Sequence, residues 1–243
     1  MDRDGRFGAA RDRAEVGELR RRGFLYQGSR VVAVNESEAR DAICRLGAEL
    51  SARGLSPGTS GNISVAVDDG FLVTPTNASL GALAPARLAS LDASGAHRSG
   101  DAPTKERFLH LAVYRARPRC GAVIHLHSTH AVGYSCLDGL DPDDALRPIT
   151  PYTVMRLGRV ALVPYVRPGD ERLGALVGEA ASEHHAILLA NHGPVVAGES
   201  LSAAAAAIEE LEESAKLHFL LDGHPVRYLT GAQVDELRAV FAS

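Results

Sequence analysis

Residues 122–131 read "AVIHLHSTHA" and place three histidines within six positions. The apolar "GAVI" leading into them predicts a strand, on which alternate side chains share a face. His125 and His127 then point the same way with about 7 Å between their Cα atoms, close enough for two imidazoles to converge on one small cation. His130 follows beyond the strand's end, and its direction is open. Spacing alone leaves two readings of the pair: ligands of a divalent metal, or hydrogen-bonded histidines on a half-buried strand. Further ligands have to come from elsewhere in the chain.

Upstream of this strand, "PTKERFLHLAVYRARP" predicts a helix from Thr104 to about Arg115, with Phe108, Leu109, Ala112 and Val113 facing inward and a stop before Pro118. Glu106 falls in its first turn, where the helix dipole favours a carboxylate whether or not it binds anything. Downstream, "RVALVPYV" is a strand, and "PGDERLGALVGEAASEHH" a helix begun by its proline. "AILLANHGPVV" follows as a fully apolar strand and a tight turn. That turn delivers His192 at a strand end, where function tends to sit, although a satisfied turn histidine reads equally well. A long helix over 200–222 packs Ala204, Ile208, Leu211, Ala215 and Phe219 inward and stops at Gly223. A last helix covers about 230–242.

Before residue 104, "NESE" offers Asn35 as an N-cap, and Ile43, Leu46 and Leu50 share one face of a helix ended by Gly54. "NISVAVDDGFLVTPT" reads as a hairpin around Asp-Asp-Gly, and "RLASLDASGAHRSG" as one more short strand and turn. Helices and strands interleave without a linker or repeat, so one layered α/β domain is expected over 37–243. Residues 1–36, rich in Arg, Asp and Gly, are expected to form a poorly ordered extension in which only "AEVGELRRR" suits a short helix.

Composition narrows the class. The chain has 243 residues, 45% of them apolar, enough for a substantial core. Net charge is −4, but residues 1–30 hold eight arginines against five acids, so the body is more acidic still. No basic stripe suits nucleic acid. Cys44, Cys120 and Cys136 are odd in number and scattered, which fits a reducing compartment. With no run of membrane-spanning length and no secretory signal, a cytoplasmic protein without a membrane partner is expected.

Three loops are rich in small polar residues. "SPGTSGN" (56–62) lets backbone N–H groups approach an anion and adds Thr59, Ser60 and Asn62 as donors. "TPTN" (74–77) and "PTK" (103–105) add further donors, the latter with an ammonium at a predicted helix start. None matches a nucleotide-binding fingerprint. Three such loops beside a metal suit a small phosphorylated sugar or acid.

"GTSGNISV", "LVTPTNAS", "PTKE", "HLAVYRARP", "AVIHLHSTHA" and "LLANHGPVV" occur in the order of the class II aldolase/adducin family, which the chain resembles over about 37–243. "PTKE", "VIHLHSTH", "TPYTVMRLGRVALVPY" and "RPGD" are most similar to the branch that decarboxylates 3-oxo-tetronate 4-phosphates. The resemblance implies a three-layer αβα sandwich around a mixed, largely antiparallel sheet, often assembled as a homotetramer with sites between subunits. It implies one divalent metal per subunit, with Zn2+ expected, held by Glu106, His125, His127 and His192, Glu106 also transferring protons. Phosphate contacts are implied at Gly61, Asn62, Thr76, Asn77, Thr104 and Lys105. Tyr152 is similar to a tyrosine that enters a neighbouring subunit's site, though a buried structural tyrosine is an equal reading. His130 is expected to support a ligand or to move protons. The implied reaction is loss of CO2 through a metal-stabilised enediolate, leaving dihydroxyacetone phosphate. A sugar-phosphate aldolase or epimerase would share that enediolate, but aldolases of the family carry Ser-Ser where this chain has Thr104-Lys105. A non-catalytic, adducin-like module would lack ligands that are present here.

Overall fold

The computed structural model describes residues 35–241; the expectations for residues 1–34, including the short helix, lie outside the described residues. Helix α1 (Glu36–Ala52) opens on Asn35, whose side chain accepts a hydrogen bond from the Ser37 amide at 2.9 Å, and buries Ile43 and Leu50 completely. Gly54, at φ 75°, turns the chain out of it. Strands β1 (Asn62–Val67) and β2 (Gly70–Val73) form the expected hairpin. The segment read as one more strand is itself a hairpin, β3 (Ala89–Asp92) and β4 (His97–Ser99). Asp92 folds its carboxylate over the amides of Ser94 and Ala96 and so holds the turn.

Helix α2 (Arg107–Ala116) leads into β5 (Ala122–His125), then α3 (Thr129–Ser135), α4 (Pro151–Leu157) and β6 (Val160–Val163). Helix α5 (Arg172–Glu183), strands β7 (Ala186–Leu189) and β8 (Gly193–Gly198), and helices α6 (Leu201–Leu220) and α7 (Gly231–Val240) complete the chain. The eight strands form one sheet in the order β4-β3-β2-β1-β5-β8-β7-β6. Among the described residues only β6 and β7 pair in parallel, so the sheet is mixed and largely antiparallel.

Alternation along these strands feeds two separate cores, which makes the three layers. Ile63, Val65, Ile124, Leu188 and Val196 face one side, packed with Ile43 and Leu50 of α1 and Ile208 and Leu211 of α6. Val123, Ile187, Leu189 and Val195 face the other, against Leu109, Val113 and Tyr114 of α2 and Leu173 and Val177 of α5. Burying each of these branched side chains contributes about 1.5–3 kcal/mol, so both faces are strongly specified.

Several expected boundaries shift. α2 starts at Arg107 and not at Thr104, because Pro103 is bridged to Pro75 and the Thr104 amide donates to the Thr74 carbonyl. α5 starts at Arg172 and not at its proline; Asp170 accepts from the Arg172 amide at 3.0 Å and sets the start. Regular pairing of β5 ends at His125, short of His127. Phe219, read as inward, is 40% exposed beyond the last buried turn of α6. Helices α3 and α4 were not expected. Among the described residues no helix is long and apolar enough to cross a membrane, and all three cysteines are free thiols.

Candidate metal centre and active site

On β5, His125 shares a face with Val123, which packs in the α2/α5 layer, so its ring turns toward the start of α2. His125 is fully buried, and its Nδ1–H donates to the Pro194 carbonyl at 2.8 Å. That bond leaves the Nε2 lone pair as the free ligand atom, the usual way a tautomer is fixed at a metal site. Burial drives the pKa of His125 down to about 3, with like-charge repulsion from His192 and His127 outweighing part of the pull of Glu106. Burial lowers that of His127 as well.

His192 arrives from β8's side of the sheet. Asn191 adopts the left-handed region at φ 55°, and Gly193 at φ 151° lies so close to β5 that a Cβ there would sit 2.5 Å from the Leu126 carbonyl oxygen. This tight turn, read from "NHGP", projects His192 over the strand ends. The three rings of His125, His127 and His192 stand edge-on, every pair of centroids 4.9 Å apart.

Glu106 closes the cluster from α2. It occupies the N-cap position, not the first turn, and its carboxylate turns away from the helix amides toward the histidines. Its Oε1 lies 3.4 Å from His192 Nε2 and its Oε2 3.6 Å from His125 Nε2, while His127 Nε2 lies 3.0 Å from His125 Nε2. Burial resists ionisation of Glu106, but hydrogen bonding to His192 and to Asn62 and the nearby imidazoles together hold its pKa well below the usual carboxylate range.

One ligand atom from each of Glu106, His125, His127 and His192 lies within 4.8 Å of the others. Tetrahedral ligands held 2.0–2.1 Å from Zn2+ would be about 3.3 Å apart, so the 3.0, 3.4 and 3.6 Å contacts need little rearrangement. Three imidazoles and a carboxylate are a donor set suited to a divalent ion.

The small-polar loops meet next to this cluster. The bridge between Pro75 and Pro103 joins the 74–77 and 103–105 loops, supported by Thr76 N–H donating to the Ala102 carbonyl at 2.9 Å. Thr74 in turn bonds Ile63, one residue past the 56–62 loop. Gly61 has φ 80°, Asn77 φ 56°, and Asn77 and Lys105 are exposed. Thr104 is buried, its hydroxyl accepting from the Glu106 amide at 3.3 Å. The Asn62 amide turns inward instead: its Nδ2–H donates to Glu106 Oε2 at 2.8 Å and its Oδ1 accepts from His110.

His130 lies apart from the metal cluster, its Nδ1 2.8 Å from an oxygen of Glu212 on α6. Glu212, buried, also accepts from the amides of His130 and Ala131 and so caps α3. Tyr152 is 55% exposed on α4, which disposes of the buried reading. His110 is the polar residue that sequence reasoning passed over, hidden in the apolar run "FLHLAVY". Its signal was spacing: Glu106, His110 and Tyr114 recur every fourth residue on one helix stripe.

A layered α/β fold with a three-histidine, one-glutamate cluster at the ends of β5 and β8, able to hold a metal ion, is the architecture of a carbon–carbon lyase of the class II aldolase kind. The profile of the Class II Aldolase and Adducin N-terminal domain matches residues 41–219, and the chain belongs to that family. It is 51% identical over 205 residues to the 3-oxo-tetronate 4-phosphate decarboxylase of Escherichia coli O6:H1, covering 84% of this chain and 97% of that protein. The crystal structure of YgbL from Escherichia coli superposes with a TM-score of 0.82 at 50% identity, covering 84% of this chain and 99% of that one. The L-fuculose phosphate aldolase of Haemophilus influenzae is 34% identical over 188 residues, 77% of this chain and 85% of that protein.

Proposed function

We propose that this chain decarboxylates a 3-oxo-tetronate 4-phosphate, giving dihydroxyacetone phosphate and CO2. The observation that carries the reading is the convergence of Glu106 with His125, His127 and His192 beside three donor-rich loops. The 51% identity to a decarboxylase over nearly that protein's whole length favours this reaction over its relatives.

The three histidines and Glu106 would hold a divalent cation, which we assign as Zn2+. When bound, it supplies a Lewis acid to stabilise the negative charge that builds up beside the ketone as the carboxylate leaves. The chain's own part is positioning and proton transfer. Gly61, Thr76, Asn77, Thr104 and Lys105 surround the phosphate, Lys105 as a mobile point charge. Asn62, also expected there, spends its amide on Glu106. The bond from C1 to C2 breaks, its electron pair stays on C2, and one proton is delivered to C2. Glu106 is the group placed to carry that proton. Tyr152, exposed on α4, is assigned to the site of a neighbouring subunit in a homotetramer, working in the cytoplasm.

Sugar-phosphate aldolase chemistry is the second reading, favoured by the 34% identity to an L-fuculose phosphate aldolase. Incubating purified, metal-loaded protein with 2-hydroxy-3-oxo-4-phosphobutanoate decides between them. Metal-dependent CO2 release is expected; aldehyde release from fuculose 1-phosphate without CO2 release from the acid would overturn the decarboxylase.

A further inference from the structure

Behind Glu106 runs a line of buried polar groups that starts at Asn62, the last residue of the 56–62 loop, and leads away from the histidine cluster. Asn62 and Ser64 lie two apart on β1 and share a face, opposite His110 and Tyr114, four apart on α2. All four are at most 4% exposed. Asn62 reaches Glu106 Oε2 at 2.8 Å and also contacts His110 Nε2. Ser64 Oγ lies 2.7 Å from His110 Nδ1 and 2.9 Å from the Tyr114 hydroxyl.

Chemistry fixes the direction of every bond in this line. An ionised carboxylate only accepts, so Asn62 must turn its Nδ2–H toward Glu106 and its Oδ1 toward His110. His110 therefore carries its proton on Nε2, which makes Nδ1 an acceptor. Ser64 must donate to that nitrogen, and Tyr114 must donate to Ser64. Donors thus point one way, from Tyr114 through Ser64, His110 and Asn62 to the carboxylate, an arrangement in which each bond polarises the next.

The weak point of such a line is the Asn62 amide, whose two ends are nearly the same shape. Rotated by half a turn it would set its carbonyl oxygen against the carboxylate. The ionised carboxylate resists that rotation from one side, and the N–H of His110, which would then face the amide's own NH2, resists it from the other.

We propose that His110 is a positioning residue for Glu106: by orienting the Asn62 amide it keeps Oε2 held and leaves Oε1 facing His192 and the reaction centre. This deepens the reading of the site as a metal-dependent lyase and rests on it. His110 touches neither metal nor substrate, so its effect has to travel through the carboxylate's position.

The test compares His110→Phe, which keeps the ring volume and removes both nitrogens, with His110→Gln, which returns an N–H near the place of Nε2. Steady-state decarboxylation and the visible spectrum of the Co2+-substituted protein are measured for both. His110→Phe should lower kcat on the order of 10- to 100-fold. KM should change by less than about threefold, the signature of a group that acts after binding. Its Co2+ bands should shift at unchanged metal stoichiometry, and His110→Gln should recover most of both properties. Wild-type kcat and an unshifted spectrum in His110→Phe overturn the proposal, as does equal impairment of the two variants. If His110→Phe does not fold, Ser64→Ala takes its place, because an Nδ1 without its donor frees the other tautomer; an unaltered kcat and spectrum there overturn the proposal equally. Should the wild-type protein bind Co2+ but release no CO2, the substrate reading falls while the spectra still decide the role of His110.

Discussion

A proton added to His110 would have no anion to meet: its ring nitrogens face a hydroxyl and an amide oxygen inside the protein. Burial accordingly pulls its pKa from 6.5 down to about 4, with the charge of Glu106 only partly opposing. Between those values the unfolded chain binds more protons at this position than the folded one, so stability rises with pH there and falls on acidification. The contribution is complete above pH 6.5 and is lost as pH falls to about 4, on the order of 3 kcal/mol in all. Urea denaturation of metal-free protein at pH 7.5 and pH 5 should show this loss, and His110→Gln should flatten the slope; a wild-type midpoint independent of pH would contradict it. The ligands act differently. His125→Ala or His127→Ala should lose metal, read by elemental analysis, together with activity, since each removes one of four donors in a closed cluster. Glu106→Gln keeps the shape and an oxygen but removes the charge and the proton carrier. Its kcat should fall at least 100-fold, while inhibition by inorganic phosphate stays within about twofold of wild type, because Asn62, the loop residue that bonds the carboxylate, is not among those assigned to the phosphate.

At the level of elements, the turn between β7 and β8 shows why a site can depend on backbone alone. Gly193 has a φ of 151° and its Cα faces the Leu126 carbonyl, so Gly193→Ala would force β8 away from the exit of β5 and carry His192 with it. The substitution should cost about 2 kcal/mol or more, which is a fall of roughly 4 °C or more in Tm for a domain of this size. Gly139→Ala is the control: its φ is 73° but nothing lies within 4 Å of the added carbon. It should lose only the conformational preference of glycine and keep wild-type kcat; equal loss of kcat in the two variants would show that the turn does not place His192. The same turn explains what the sequence made legible. Local chemistry announced the hairpin of β1 and β2, the Asn35 cap, the apolar β7 and the "NHGP" turn, because each is settled by residues a few positions apart. The start of α2 was not legible, since it is fixed by a bridge from Pro103 to Pro75. His110 escaped for the same reason: in "FLHLAVY" it looks like an intruder on an apolar face, and its partners Asn62 and Ser64 lie far off in sequence, on β1. The histidines and Glu106 were singled out by motif, yet their convergence needed the sheet order that sets β5 beside β8 and under α2.

Taken as a whole molecule, the fold leaves a substantial group of large apolar and aromatic side chains uncovered. Tyr152 is 55% exposed, Tyr165 61%, Leu220 64% and Phe219 40%. Single exposed apolar residues need no explanation, but Tyr152 on α4 and Phe219 and Leu220 on α6 belong to helices packed against each other on one side of the sheet, and a symmetric assembly would bury them. If Tyr152 completes the site of a neighbouring subunit, then Tyr152→Ala and His125→Ala damage different halves of one composite centre. Each variant alone should be nearly inactive as a pure oligomer, Tyr152→Ala still holding its metal and His125→Ala lacking it. Dissociated together and reassembled in equal amounts, the two should regain activity, because some sites then combine an intact histidine set with an intact tyrosine. Random mixing in a ring makes about a quarter of the sites wild type, so about 25% of the activity should return. A site wholly contained in one subunit would give no recovery at any ratio, and a chain that sediments as a monomer would exclude the shared centre outright.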